Sequence, residues 1–309
     1  MRIEYIRDGL VEEFHEGKLI QFSDVSTLPE GEKIQSAVEG YKSEPYYLRS
    51  CAKPLQATLL LDYGAELTEE ELALCCGSHA GEECHVEIAR KLLKKFNIDE
   101  NILKCGVHAP LARSMQDKML LRGEKPSAIH NNCSGKHIGF LICCKLKGWD
   151  MDTYYEPKHP LQIAVKEKIN FLCCVNTVYP STTDGCGVPI LSMPLFNMLC
   201  GFINLLKYPK IINAIKNHPY IFGGENRLDT EIIQKTEGLI AKVGAGGLCV
   251  VMNIEKKDAF AVKINDCSME ARRFAVLDTI NRLGWGNIEF DNKIKTLQGK
   301  VVGEVVVQP

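Results

Sequence analysis

Ser50 and Lys53 stand three residues apart in the stretch RSCAKPLQ, residues 49–56. On a helix, positions i and i+3 share a face. A serine at the start of such a helix keeps its hydroxyl open and near the positive end of the backbone dipole. A neutral lysine one turn on can take the serine proton and leave an alkoxide-like nucleophile. This is the S-x-x-K arrangement. The same two residues also suit a plainer part, a helix-capping serine beside a solvated lysine. Pro54 removes a donor early in the helix and restricts Lys53, so the first turn is expected to be irregular.

Three further segments bear chemistry. In CCGSHAGE, Ser78 and His79 follow a glycine that ends an apolar helix, a turn able to aim a hydroxyl into a cleft or to be an ordinary loop. In AKVGAGGLCVV, Lys242 precedes a glycine run that enters a hydrophobic strand. Glycines there let a substrate approach the backbone, and an edge N–H with that of Ser50 can hold an oxyanion; a glycine-rich hairpin is the alternative. Walker spacing is absent, so a phosphate cradle fits poorly. In HNNCSGKHIGF and STTDGCGVP, Cys133 and Lys136 are three apart and Cys186 sits in a glycine-flanked turn beside Asp184. Two thiolates suit zinc. A lysine ligand must first lose its proton, and His130 and His137 are the plainer alternatives.

The elements that must position these residues follow from periodicity and breakers. RIEYIRDGLVEEFHEGKLIQFS alternates as antiparallel strands, with turn signals at Asp8–Gly9 and Glu16–Gly17. A helix is predicted from near Ser50 to Gly64, and another behind Thr68, capped with Glu71 three residues on. GEECHVEIARKLLKKFNI, SGKHIGFLICCKLKG and HPLQIAVKEKINFLCC read as helices, as does the stretch after Pro194. Towards the end the period changes. LIAKVGAGGLCVVMN, DAFAVKIND and GEVVVQP read as strands, with a helix, SMEARRFAVLDTINRLG, between the last two. Strands at both ends and helices between them predict an α+β fold. It is an antiparallel sheet from the N- and C-terminal parts, flanked by helices, with a helical subdomain, as one domain over 1–309.

Composition narrows the function. The chain has 309 residues, 45% hydrophobic and 25% charged, with formal net charge −2 and no long basic run. Nucleic-acid binding has no electrostatic footprint. No apolar run reaches the roughly 18 residues of a membrane helix, and the charged N-terminus is unlike a signal peptide. The fourteen cysteines include three adjacent pairs and no C-x-x-C, so most are expected as reduced, buried residues of a cytoplasmic protein.

With RSCAKPLQ, CCGSHAGE, CGVHAP, HNNCSGKHIGFL, DGCGVP, GGENRLDT and AKVGAGG in this order, the chain resembles the Rhizobium etli-type L-asparaginases, the asparaginase II or thermolabile asparaginase family. The resemblance runs over nearly its whole length. It implies a fold like that of serine β-lactamases and serine-dependent glutaminases, and hydrolysis of L-asparagine to L-aspartate and ammonia by a homodimer. It also implies two Ser–Lys pairs, Ser50 with Lys53 and Ser78 with Lys242, Lys263 being the runner-up for the last. Cys133, Lys136 and Cys186 match the family's zinc ligands. Asp184 matches a carboxylate for the substrate ammonium, with Arg49 and His79 as further substrate contacts. One departure is Gly246, where family members commonly carry glutamate; the run GAGG is closer to that of serine glutaminases and opens glutamine as a substrate.

The resulting reading is a Ser–Lys acyl-enzyme amidohydrolase with an alkaline optimum, Ser50 the favoured nucleophile. Its competitors are a zinc-hydroxide amidase, a glutaminase, a penicillin-interactive hydrolase, and a non-catalytic asparagine-binding homologue.

Overall fold

The alternating N-terminus forms β1 (Arg2–Arg7), which turns through Asp8 and Gly9, at φ 45° and 84°, into β2 (Leu10–Phe22). The computed structural model describes residues 1–22, 44–175 and 178–308. Ser23 and Pro309, at the ends of two stretches read as strands, lie outside them. Gly17 is not the second turn that the sequence suggests. β2 runs straight through it, pairing first with β1 and then with the strand Asp258–Ile264. A Cβ at Gly17 would sit 2.7 Å from the Lys263 carbonyl oxygen, so the glycine is there for close strand approach.

Two short strands lie mid-chain, β4 (Ser181–Thr183) and β5 (Pro189–Met193), and with β3 (Tyr46–Tyr47) they make a small antiparallel sheet, ordered β3-β5-β4. The remaining strands are β6 (Leu239–Gly244), β7 (Leu248–Asn253), β8 (Asp258–Ile264), β9 (Lys293–Lys295) and β10 (Val301–Gln308). They join β1 and β2 in a seven-stranded antiparallel sheet, β6-β7-β8-β2-β1-β10-β9. The chain is therefore α+β, with sheet strands from both ends.

The strand sequences explain their places. β6 and β7 are buried at every position, as their near-continuous apolar runs require when both faces are covered. One face of the sheet packs on the helix Met269–Arg282. The other packs on the larger core, built from the helices between residues 53 and 217. The first six of these in chain order are α1 (Lys53–Asp62), α2 (Glu69–Cys76), α3 (Glu83–Lys95), α4 (Arg113–Arg122), α5 (Ser134–Lys147) and α6 (Pro160–Leu172). Thr68 and Glu71 form the expected capping box on α2, and Gly148, at φ 67°, ends α5. No helix of the described residues is long and apolar enough to cross a membrane. The cysteines are all free, and all but Cys84, Cys174 and Cys267 are buried, as small apolar filler should be.

α2 and α5 touch backbone to side-chain-free backbone. A Cβ at Gly135 would lie 2.3 Å from the Leu74 carbonyl oxygen. In an ordinary helix Gly→Ala is favourable by about 1 kcal/mol. Here Gly135→Ala should instead destabilise by roughly 1–3 kcal/mol through overpacking. Thermal unfolding of the variant checks this; an unchanged or raised Tm would show that the two helices are free to part.

Candidate active site

Arg49 opens the site with a left-handed backbone, φ 47°, which costs a non-glycine residue roughly 1–2 kcal/mol. It is held from both sides. Leu48 N–H donates to the Leu191 carbonyl on β5, and Arg49 Nε lies 3.0 Å from Asp184 Oδ1. Arg49–Ala52 then form a 3-10 turn before α1 begins at Lys53, with Pro54 in its first turn where no N–H is needed. The irregularity expected at Pro54 is this turn. Ser50 is consequently not a capping residue; Ala52 occupies that position and α1 has no side-chain cap. The Ser50 hydroxyl is half-buried and makes no side-chain hydrogen bond among the described residues.

Lys53 is buried, and its partners differ from the expected ones. Its Nζ donates to Ser78 Oγ at 2.9 Å and to the Asn132 carbonyl at 2.9 Å. The family resemblance implies a Ser78–Lys242 pair, whereas in space Ser78 meets Lys53. Burial pulls Lys53 down to about 8, with the nearby charges of Lys136 and Lys242 acting the same way and Cys133 opposing. Ser78 is set by the turn after α2, its N–H donating to the Phe222 carbonyl. His79 is fully buried and turns inward: Nε2 lies 2.9 Å from Ser134 Oγ, and Nδ1 accepts from the Gly81 N–H. Burial, then the neighbouring His85, holds His79 well below its usual range, so it sits neutral.

Lys242 is also fully buried, but its Nζ donates to Asp229 Oδ2 and to the Val243 carbonyl, both at 3.0 Å. Burial alone would raise Asp229; the charge of Lys242, then Arg227, outweighs it and keeps the carboxyl below its ordinary value. β6, an edge strand, presses on the 3-10 turn through Cys51, whose thiol donates to the Lys242 carbonyl at 3.1 Å. Lys263 points elsewhere, to the Ile264 carbonyl and the Tyr46 ring. The glycine run after Lys242 is the hairpin between β6 and β7. Gly246 and Gly247 are both left-handed, at φ 74° and 73°, which accounts for glycine where glutamate would be strained.

Cys133, Lys136 and Cys186 meet, although they come from a helix start and a distant turn. Asn131 Oδ1 accepts from the Cys133 N–H, fixing the entry to α5. Asp184 closes the β4–β5 turn by accepting the Gly185 and Gly187 N–H groups, on Oδ1 and on its carbonyl. Lys136 Nζ lies 2.9 Å from Cys186 Sγ, and all three residues are buried. The Cys133 thiol is held well below its usual range by a hydrogen bond from Cys186, and by the charges of Lys53 and Lys136. Burial lowers Lys136, but Cys133 and Cys186 outweigh it and raise its value. The two sulfurs and the Lys136 nitrogen in contact make a soft donor set that fits a zinc ion, which would have to displace their protons, that of the Lys136 ammonium included. Among the described residues, the one close group of three or more His, Cys, Asp or Glu is Glu82, Cys84 and His85. It is a poorer candidate: both His85 ring nitrogens face backbone groups, the Glu82 N–H and the Tyr220 carbonyl.

A cavity of about 180 Å³ joins these parts. Arg49, Ser50, Lys53, Gln56, Lys136 and Asp184 form its polar side, and Val165, Ile169, Val188 and Ile190 its apolar side. It is smaller than the roughly 300–1,000 Å³ of drug-sized sites, which suits a small polar metabolite. Ser78, His79 and Lys242 lie behind this lining. Asp229 had no part in the sequence reading beyond the GGENRLDT block, yet it partners Lys242. A lone aspartate on a helix carries no sign of its partner thirteen residues away.

The Asp229–Lys242 pair is entirely out of solvent, so Asp229→Asn or Lys242→Met alone strands a buried group. Each should cost about 3–5 kcal/mol in denaturant unfolding, while Asp229→Leu with Lys242→Met should recover most of it. A double variant as unstable as the sum of the singles would show that the two side chains do not act as a pair.

A family model described as L-asparaginase II matches residues 3–307, nearly the whole chain. No curated protein matches it.

Proposed function

The chain belongs to the L-asparaginase II family, which points to an amidohydrolase, and from that premise we propose that it hydrolyses L-asparagine to L-aspartate and ammonia through an acyl-enzyme on Ser50. The observation that carries this reading is the hydrogen bonding of Lys53. A neutral amine has two N–H donors and one lone pair. Ser78 Oγ and the Asn132 carbonyl take the two donors, which leaves the lone pair to accept a proton. Ser50, with an unengaged hydroxyl on the cavity wall, is the alcohol that substrate reaches first.

In the proposed sequence, Ser50 Oγ attacks the side-chain carbonyl carbon and Lys53 Nζ takes the hydroxyl proton. The oxyanion is held by backbone N–H groups, that of Ser50 and one from the adjacent edge of β6. Lys53 returns the proton to the nitrogen that leaves as ammonia, then draws one from the water that attacks the acyl carbon and passes it to Ser50 Oγ as the ester bond breaks and aspartate is released. Ser78 orients the Lys53 amine and can relay its proton. Lys242 acts from behind, its fixed charge helping to keep Lys53 neutral. Arg49 and Asp184, a cation and an anion side by side, match the carboxylate and ammonium of an amino acid. Cys133, Lys136 and Cys186 would hold the family's zinc. When bound, it would supply a fixed positive charge beside the cavity; the proton steps belong to Lys53.

Ser50→Ala should lower kcat by about 10³-fold or more, and Ser78→Ala by roughly 10- to 100-fold. Mass spectrometry of quenched turnover should find the acyl group on the Ser50 peptide. Full ammonia release by Ser50→Ala, with the loss falling on Cys133→Ser and Cys186→Ser, would favour the zinc-hydroxide reading instead.

The base must be unprotonated, so kcat/KM of metal-free protein should rise with pH as Lys53 passes about 8 and level off above it. Lys242→Met removes a neighbouring cation and should move that midpoint upward. A rate flat from pH 5 to 9 would exclude Lys53 as the base. Elemental analysis should find zinc in the purified protein, lost from Cys133→Ser and Cys186→Ser.

A further inference from the structure

Cys174 is a thiol that the proposed reaction does not use. It follows α6, whose Val165 and Ile169 wall the cavity, and its backbone is left-handed, φ 53°. This end of α6 is tied to a second helix, α7 (Leu195–Asn204). Asn197, Cys200 and Asn204 stand at i, i+3 and i+7 on one face of α7. Asn197 Nδ2 donates to the Cys173 carbonyl at 2.9 Å and to the Cys174 carbonyl at 3.4 Å. Asn204 Nδ2 donates to the Leu172 carbonyl at 2.7 Å and lies 3.9 Å from Cys174 Sγ. Cys200, between the two asparagines, donates its thiol hydrogen to the Cys174 sulfur. Two sulfurs from different helices are thus held together by backbone bonds on either side of them.

Cys174 also differs from the thiols that fill the core. It is half-buried, whereas Cys173 beside it and Cys200 are buried. Burial pushes the thiols of Cys75, Cys173 and Cys249 up. At Cys174 the hydrogen bond from Cys200, helped by the Lys207 charge, outweighs burial and draws the thiol down to about 7. A sulfur that solvent reaches, with a second sulfur against it, can be oxidised and then resolved; apolar filler needs neither property. We propose that Cys174 and Cys200 are an oxidisable pair, which a hydroperoxide converts to a disulfide that fastens the cavity-wall helix α6 to α7. The Cys174 sulfur attacks one peroxide oxygen and the O–O bond breaks, leaving a sulfenic acid and, with hydrogen peroxide, one water. The Cys200 sulfur then attacks the Cys174 sulfur, and its proton goes to the departing hydroxyl, which leaves as a second water. The two thiols lose two electrons and the peroxide gains them. None of these steps involves Ser50 or the zinc ligands.

The test treats reduced full-length protein with hydrogen peroxide, blocks the remaining thiols and maps the bonds by tandem mass spectrometry. Chymotrypsin serves for the digestion because it cuts at Leu191 and Phe196, between the two cysteines. Expected are a Cys174–Cys200 bond and a Tm above that of equally treated Cys174→Ser. Cys200→Ser should stop at the Cys174 sulfenic acid, which dimedone traps; should that variant fail to fold, Cys200→Ala exposes the same sulfur to the same reagent. No bond, a bond from Cys200 to Cys173 instead, or an oxidised protein no more stable than treated Cys174→Ser would overturn the assignment.

Discussion

Three lysine amines are buried in one region of this molecule, and only two of them have a full counter-charge. Lys242 has the Asp229 carboxylate, and Lys136 has the thiol pair of Cys133 and Cys186. Lys53 has a hydroxyl and a carbonyl as its hydrogen-bond acceptors, and the Cys133 charge offsets its burial only in part. A cation out of water must be paired or give up its proton. Lys53 is the one placed to give it up, and its two remaining donors are already spoken for. Denying Lys53 a carboxylate, with the charges of Lys136 and Lys242 acting the same way, is what favours its neutral form and suits it to the part of base in the proposed reaction.

That arrangement needs elements that do not move relative to one another. Lys53 comes from α1, Ser78 from the end of α2, Lys136 from α5 and Lys242 from the edge of the large sheet. The contacts between them are close and specific: Gly135 against Leu74, Cys51 against Lys242, Ser78 against Phe222. The small sheet does a separate job. By pairing β3 with β5 it brings the strained Arg49 beside the Asp184 turn, so the chain enters the reactive segment at a fixed angle. The left-handed Arg49 is stable there because both its backbone neighbour and its side chain are tied to that sheet.

Much of this was legible in the chain. Thr68 and Glu71, Gly148, and the apolar runs of β6 and β7 are local signals whose physics acts within a few residues, and each lies where the pattern puts it. Gly17 misled because a glycine in an alternating stretch marks either a turn or a close approach, and only the neighbouring strand tells which. The small sheet was missed because strands of two, three and five residues are too short to show a period. Asp229 was invisible as a partner for the same kind of reason, its role being defined by a strand elsewhere in the chain.

The order of its motifs carried the family, the α+β class, and which residue types have the chemistry to act; these depend on identity and spacing, both of which a one-dimensional string holds. Which serine meets which lysine did not lie in the string. Lys53 is three residues from Ser50 and twenty-five from Ser78, yet it bonds to Ser78, because a 3-10 turn and the packing of α1 on α2 decide where its amine ends. Separation along a chain sets what can be near; only the packed backbone sets what is, and proton affinity follows the packing.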